Sequence, residues 1–302
     1  MNQKLWGIAS LSLAASIWGG MYVVSKYVLA YIPPFTLMWL RYVIAFTCLF
    51  FILKRQKQPP STLSSKKGWI LLIAVGFIGY FISIAFQFIG TKLADAHTGA
   101  IITSTAPTFT LLFAAFILKE KLTIQKLTAL VIATIGVMIV IGWESEMSEF
   151  FWGSLILVGA AITWALLSVL ARIATKTMSS LFLTTNAVLV AIPLTTPFMI
   201  WEMTYSDSLI LDVKLLLGIL YLGVVSTAVA FFLWNKGMES MEASTGSLFL
   251  FFQPLVGSLF GWLLLKESLS SSFFIGGSLI VIAVIFTFLP LSSKKGFKSF
   301  NK

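Results

Sequence analysis

The sequence has one cysteine, one histidine and few charged residues, and each scarcity excludes a class of protein. A lone cysteine, Cys48, leaves no intrachain disulfide to form, and a lone histidine cannot provide an HExxH zinc site or two haem ligands. The sequence also contains no GxxxxGK loop, so we expect no nucleotide hydrolysis by the chain itself. We therefore predict no metal, no cofactor and no enzymatic activity.

Charged residues make up only 11% of the 302 residues, against about 25% in soluble domains. Hydrophobic residues make up 58% and the mean hydropathy is +0.97, as is typical of an integral membrane protein. A membrane span needs about 20 mainly apolar residues. The sequence contains ten such segments, at 5–30, 35–53, 69–90, 97–118, 125–142, 152–173, 180–201, 213–234, 245–265 and 272–290.

The sequence contains an internal repeat of two copies. Residues 96–122 match residues 243–269 at several positions with an offset of 147 residues. An offset of 146 residues relates positions nearer the start of the chain. Because each copy holds five predicted spans, an odd number, the copies face opposite ways across the bilayer. We predict an all-α integral membrane protein of ten transmembrane helices, with a first repeat at 5–142, a second at 150–290 and a basic cytoplasmic tail at 291–302. The paired residues include Gly7/Gly153, Trp18/Trp164, Lys26/Arg172, Gly76/Gly223, Gly90/Gly237, Pro107/Pro254 and Glu120/Glu267.

The net charge of +10 is a signal of topology rather than of nucleic-acid binding. With the N-terminus inside, sixteen of the 21 Lys and Arg residues fall on the side of the N-terminus, as the positive-inside rule requires. Four, Lys26, Lys92, Lys214 and Lys266, fall on the other side, and Arg41 falls within a span. We predict a multi-pass protein of a bacterial plasma (inner) membrane with both termini cytoplasmic.

Inverted repeats place a substrate site near the bilayer midplane, between halves that exchange inward-open and outward-open forms. Proline inside a span frees the carbonyl four residues earlier, so Pro107 would free Thr103 and Pro254 would free Leu250. Such carbonyls need a partner in protein or in a water-filled cavity. The two matching prolines favour a hinge or kink beside a cavity; packing kinks are the alternative.

Polar and aromatic residues within the spans are candidates for a substrate pathway. An intramembrane charge such as Arg41 is a functional hypothesis by default, with pairing to helix-end carbonyls as the alternative. Gln87 and Gln253 can line a pathway or bond neighbouring helices. The candidate aromatic residues are Trp18, Tyr22, Tyr80, Trp164 and Tyr221.

Three further residues lie at predicted span ends. His97 is either a proton-responsive pathway group or a polar helix-end residue. Glu120 and Glu267 occupy equivalent positions and are expected to tie a helix end to its neighbour, or to act in gating. No Asp or Glu falls in the middle of a predicted span, which removes the commonest device for proton coupling. Coupling to a proton or counter-solute therefore stays open, as does homodimer formation.

Nearly the whole chain resembles the EamA-type transporters of the drug/metabolite transporter superfamily. No single motif carries this resemblance, but the ordered set with a five-plus-five repeat is specific. The motifs are Trp18-Gly19 with Lys26, Leu40-Arg41-Tyr42 with Ala45, Thr98 to Pro107 to Leu118-Lys119-Glu120-Lys121-Leu122, and in the second copy Ser244-Thr245-Gly246, Gln253-Pro254 and Leu265-Lys266-Glu267-Ser268-Leu269. The chain departs from the pattern at Lys119, since a glycine commonly precedes that glutamate.

The resemblance implies a ten-helix carrier that exports amino acids, related metabolites or toxic small molecules, with a pathway between helices 1, 3, 4 and 6, 8, 9. We predict a secondary transporter that moves a small-molecule substrate across the lipid bilayer by alternating access. A passive facilitator or channel for small metabolites is the alternative. A membrane enzyme or sensor would need a catalytic constellation or an output domain, and the sequence contains neither.

Overall fold

The computed structural model describes residues 3–55, 65–94, 96–141, 149–205, 212–265, 271–286 and 289. All regular secondary structure in these ranges is helical. The helices are α1 Gln3–Leu29, α2 Pro34–Arg55, α3 Lys66–Leu93, α4 at 96–118, α5 Ile124–Ile141, α6 Glu149–Ala174, α7 Ser180–Thr204, α8 Val213–Ser240, α9 at 243–265 and α10 Ser271–Phe286.

Six helices, α1, α2, α3, α6, α7 and α8, are long and apolar enough to cross a membrane. Three shorter apolar stretches lie in α4, α5 and α10, at Ala106–Leu118, Ile124–Gly136 and Phe274–Phe286. Large apolar side chains such as Phe51, Trp201 and Ile282 are more than half exposed, as expected of surfaces that face lipid. The protein is thus a multi-pass membrane protein, and the count of ten spans stays a prediction.

The two copies run in opposite directions. Helix α1 begins beside the end of α8, where a methyl group added at Gly7 would lie 2.6 Å from Ser240 Oγ. It ends beside the end of α3, where Lys26 Nζ donates to the Ala94 carbonyl at 2.8 Å. Helix α6 begins at that second location, because a methyl group added at Gly153 would lie 2.8 Å from the Ala94 nitrogen. We call the two ends of the molecule the Glu120 end, where α1 begins, and the Lys26 end, where α1 finishes.

The two halves interlock through exchanged helices. Helix α1 packs along α8 and α9 of the second half, and α6 packs along α3 and α4 of the first. The repeated glycines permit this approach: a methyl group at Gly90 would lie 2.6 Å from Leu157 Cγ, and one at Gly237 would lie 2.4 Å from Leu11 Cγ. Two further pairings, α2 with α7 and α5 with α10, join equivalent helices. Much of the core therefore lies between the halves.

Repeated basic residues bind helix ends in matching ways. Lys26 Nζ donates to the carbonyls of Thr91 and Ala94 at the end of α3. Arg172 Nη1 donates to Met238 O at 2.9 Å and Glu239 O at 2.5 Å at the end of α8. Positive charge stabilises the last turn of a helix, where carbonyls lack intrahelical partners. These bonds fasten the exchanged helices at opposite ends of the molecule.

Four of the helices are irregular at matching positions. Helix α3 is a π-helix over Val75–Ser83, and α8 is one over Tyr221–Val229. Helix α4 is broken at residues 104–105, and α9 tightens to a 3₁₀ turn over Leu248–Phe251. Side chains of α2 bond both π-helices: the Tyr42 hydroxyl donates to the Tyr80 carbonyl, and Arg41 Nε donates to Thr227 Oγ1. π-Helical segments occur frequently at functional sites. The π-helical stretches of α3 and α8 therefore indicate where a functional site lies.

Candidate functional site

A cavity lies where the two halves meet, between α1, α3, α4, α6, α8 and α9. Its volume is about 20 Å³, room for about one water molecule. Five of the predicted pathway residues line it: Trp18, Tyr22, Gln87, Trp164 and Gln253. The cavity is therefore too small for a metabolite, which could occupy it only after the helices move.

Equivalent residues of the two repeats face each other across the cavity. The rings of Trp18 and Trp164 meet edge to face, with centroids 4.9 Å apart and planes at 86°. Ile84 and Phe231 form a second equivalent pair in the lining, and Thr103 and Leu250 form a third. The cavity therefore lies between equivalent segments of the two repeats.

The helix irregularities before Pro107 and Pro254 open onto this cavity. Thr103 and Leu250, each four residues before a proline, both line the cavity. The break at 104–105 follows Thr103, while Leu250 lies within the 3₁₀ turn. Irregular backbone at membrane depth is tolerated where it is buried in protein or lines a cavity. The arrangement suits hinges, although movement at these prolines stays a prediction.

A short chain of bonded polar side chains, all from the first half, lies in the cavity lining. Gln87 Nε2 donates to the Tyr22 hydroxyl at 2.6 Å, and that hydroxyl lies 2.6 Å from Thr103 Oγ1. Thr103 Oγ1 also bonds the Gly99 carbonyl at 2.7 Å. This chain joins α1, α3 and the broken part of α4.

Three buried polar atoms in the cavity lining have no partner: Gln87 Oε1, Gln253 Oε1 and Trp164 Nε1. Trp18 differs, since its Nε1 donates to the Ser226 carbonyl at 3.0 Å. Buried polar groups are normally hydrogen-bonded because an unmade bond is costly. The cavity thus presents two acceptors and one donor, surrounded by aromatic rings.

Arg41 lies beside the cavity without lining it. The side chain is fully buried and donates from Nε to Thr227 Oγ1 at 2.6 Å and from Nη2 to Ser226 Oγ at 3.5 Å. Its Nη1 has no partner. The guanidinium carbon lies 5.1 Å from the centre of the Phe88 ring and 5.7 Å from that of Phe231. Phe231 therefore contacts both the cation and the cavity.

Two other predicted pathway residues lie behind the lining. The Tyr80 hydroxyl accepts a bond from Asn235 Nδ2 at 3.0 Å, and its ring packs 4.6 Å from Phe231. The Tyr221 hydroxyl donates to the Ile17 carbonyl at 2.9 Å and so joins α8 to α1. His97 belongs to helix Ala96–Thr103, but its side chain lies outside the described part of the structure. Glu267 also lies outside the described residues.

Glu120 binds the beginning of α9 at the Glu120 end. Its carboxylate accepts from the backbone nitrogens of Ala243 at 2.8 Å and Ser244 at 3.1 Å. Lys126, only 8% exposed, donates to Ser244 Oγ at 2.7 Å, pairs with the Glu242 carboxylate and lies 3.9 Å from Glu120. We call Glu120, Lys126, Glu242 and Ser244 the α9 latch. It joins the end of α4 and the start of α5 to the start of α9 across the two halves.

Sequence reasoning missed several lining residues, including Ser83, Ile84, Ala160 and Phe231. None carries a motif, because a methyl, hydroxyl or phenyl group is ordinary in a membrane helix. One signal was present for Ile84 and Phe231: the repeat register of 147 residues relates them. The repeated glycines Gly76 and Gly223 lie inside the two π-helices, but a glycine in an apolar helix does not by itself predict a π-helix.

An inverted repeat with a cavity between its halves, lined by broken and π-helical segments, is typical of membrane transporters. The chain belongs to the EamA-like transporter family, which matches residues 5–142 and 151–289, one match in each half. This family assignment indicates a transporter rather than an enzyme.

The names of similar proteins also indicate a transporter. The chain is 26% identical over 294 residues to "Uncharacterized transporter YetK" of Bacillus subtilis (strain 168), covering 95% of this chain and 88% of that protein. It is 26% identical over 304 residues to a "Probable amino-acid metabolite efflux pump" of Escherichia coli (strain K12), covering 97% of both. A crystal structure that is 20% identical has a TM-score of 0.78 and covers 97% of this chain and 99% of the other, which shows a shared fold.

Proposed function

We propose that this protein is a secondary transporter that exports a small metabolite, an amino acid or related compound, or a toxic small molecule, across a bacterial plasma membrane by alternating access. The carrying observation is the small cavity between the two inverted repeats, whose lining includes three pairs of equivalent residues from the two halves. Efflux of amino-acid metabolites, the activity named for the Escherichia coli relative, supports this substrate range. The charge distribution supports cytoplasmic termini, with the first repeat at 5–142, the second at 150–290 and the tail at 291–302.

In this proposal the α9 latch closes the cytoplasmic end. Opening that end requires Glu120 to release the first backbone N–H groups of α9, and Lys126 to release Ser244 and Glu242. The broken segments of α4 and α9 then bend next to Thr103 and Leu250. By the repeat, Glu267 is the corresponding residue of the other end.

Transport in proteoliposomes tests the proposal. Purified protein is reconstituted and loaded with a mixture of labelled amino acids, dipeptides and organic acids, with protein-free vesicles as the control. A carrier gives flux that saturates and accelerates when the same solute is present on the far side. Unsaturable flux without acceleration would favour the passive facilitator, and an imposed pH gradient separates proton coupling from exchange. Absence of flux for every solute would contradict the export of amino acids and related metabolites.

A further inference from the structure

Arg41 is a buried cation without a counter-charge in the described part of the molecule. The ion pairs among the described residues join Lys126 to Glu120 and Glu242, and Lys236 to Glu239, and none includes Arg41. Its bonds to Thr227 and Ser226 are to neutral hydroxyl groups. An ionised group buried in this way is costly unless it is paired. A partner that arrives only during the transport cycle would offset that cost.

Arg41 lies one side chain away from the cavity. Phe231 lines the cavity and stacks 5.7 Å from the guanidinium carbon. Ser226 joins the two regions as well, since its carbonyl accepts from Trp18 Nε1 and its hydroxyl lies 3.5 Å from Arg41 Nη2. Displacement of the Phe231 ring would bring a molecule in the cavity next to the guanidinium group.

The unpartnered atoms around this position have complementary chemistry. Arg41 Nη1 and Trp164 Nε1 are donors without acceptors, and they suit a carboxylate. Gln87 Oε1 and Gln253 Oε1 are acceptors without donors, and they suit an ammonium, hydroxyl or amide group. The aromatic rings between them suit an apolar body. No described cavity-lining residue is a carboxylate, so nothing in that lining neutralises a substrate that is only cationic.

We propose that Arg41 binds the carboxylate of the transported molecule, so that the site accepts small organic anions and zwitterions with an apolar body and rejects organic cations. This assignment rests on the proposed transport function and adds its substrate class. It also explains why a fully buried guanidinium with an unused donor is present beside the cavity.

Matched pairs of acids and amides test the assignment. Proteoliposomes containing the wild-type protein are assayed with L-leucine, L-methionine and L-phenylalanine, with the amide of each, and with ethidium as an organic cation. We expect the acids to be transported at least tenfold faster than their amides. Arg41→Met should reduce acid transport at least tenfold and bring the ratio of acid to amide close to one. Arg55→Met, on the exposed end of the same helix, is the control and should retain the wild-type ratio.

Two further measurements separate binding from a structural role. Arg41→Lys keeps the charge but loses the second donor of the fork, so it should retain the preference for acids with a raised KM. Thermal unfolding of Arg41→Met without substrate should occur at or above the wild-type temperature, because an unpaired buried charge has been removed. A lower unfolding temperature with an unchanged acid-to-amide ratio would make Arg41 structural.

The outcomes separate a failure of the carboxylate assignment from a failure of the proposed transport function. Equal transport of acids and amides by the wild-type protein, or transport of ethidium at the same rate, overturns the carboxylate assignment and leaves the transporter standing. If no solute of any charge crosses the membrane, both proposals fail together. Retention of the acid preference in both Arg41 variants also overturns the assignment.

Discussion

At the scale of single residues, Lys119 carries the clearest backbone signal. It is the only non-glycine residue with positive φ among those described, at φ 55° and ψ 33°, and it follows the last turn of α4. An L side chain in this left-handed region costs about 1–2 kcal/mol relative to the right-handed helix. The resemblance described in the sequence analysis implies a glycine at this position, and the backbone geometry gives the physical reason.

Lys119→Gly should stabilise the protein by about 1 kcal/mol, because glycine adopts this conformation without the steric cost of a Cβ atom. Thermal unfolding in detergent measures the change. Lys119→Ala removes the long side chain but keeps Cβ, so it is the control and should not stabilise. A glycine variant that unfolds no later than the alanine variant would contradict the expectation.

At the scale of helices, the α9 latch shows how a carboxylate can hold one element against another. Glu120 satisfies two backbone N–H groups at the beginning of α9, where the helix dipole favours negative charge. The Lys26 end has a comparable contact, in which Glu202 of α7 accepts from the backbone nitrogens of Phe35 and Thr36 at 3.0 and 2.7 Å. The two carboxylates therefore permit a matched comparison of the two ends.

We expect the Glu120→Ala substitution to open the Glu120 end of the molecule to solvent more often. Losing an N-terminal cap costs about 1–2 kcal/mol, which corresponds to roughly a 5–30-fold change in an equilibrium. With Cys48→Ser as background, a cysteine at the buried position of Ser247 reports opening through its rate of thiol labelling. Labelling should accelerate by that factor with Glu120→Ala and stay unchanged with Glu202→Ala. Equal rates in all three proteins would show that the latch does not restrain α9.

The prolines of α4 and α9 carry a second prediction at this scale. Pro107→Ala and Pro254→Ala restore a backbone N–H and should straighten the helix beside the cavity, so we expect turnover to fall about tenfold or more with normal insertion. Uptake rates normalised to protein abundance measure the change. Pro193→Ala is a suitable control, because this proline lies inside α7 on an exposed face. Normal turnover in both cavity-side variants would refute the hinge interpretation.

At the scale of the whole molecule, the exchange of α1 and α6 makes each half depend on the other. Helix α1 buries Leu11 against α8, and α6 buries Leu157 against α3. A half expressed alone would leave these apolar surfaces and its repeated glycines without their partner helices. Because α3 packs along the first helix of the other repeat, we expect a movement of α3 to be passed to that helix.

Two chains, 1–145 and 146–302, should therefore accumulate and transport only when they are expressed together. Co-purification through a tag on one chain, followed by uptake, measures their association. Gly90→Leu in the first chain should reduce association at least tenfold, because even a methyl group there would lie 2.6 Å from Leu157 Cγ. Gly257→Ala should be tolerated, since its added methyl group would meet Gly19 O at an ordinary 3.4 Å. Stable accumulation of either chain alone would contradict this account.

Much of the site could be found from the sequence because the relevant patterns are local or repeated. Trp18 and Trp164 stand out as equivalent aromatics, and Gln87 and Gln253 stand out as rare amides in apolar helices. Arg41 is conspicuous as a charge inside a predicted span. The sequence did not show which of these residues share a cavity, because that depends on how six helices cross.

The sequence by itself determined the membrane class, the helices, the repeat and the inversion, since composition and periodicity follow from the demands of the bilayer. Only the tertiary structure decided the exchange of α1 and α6, the π-helical turns, and the positions of Tyr80 and Tyr221 behind the lining. It also decided that Arg41 bonds Thr227, 186 residues away, and retains an unused donor. These features arise from packing between segments far apart in the chain, where small shifts in helix register determine which side chains meet.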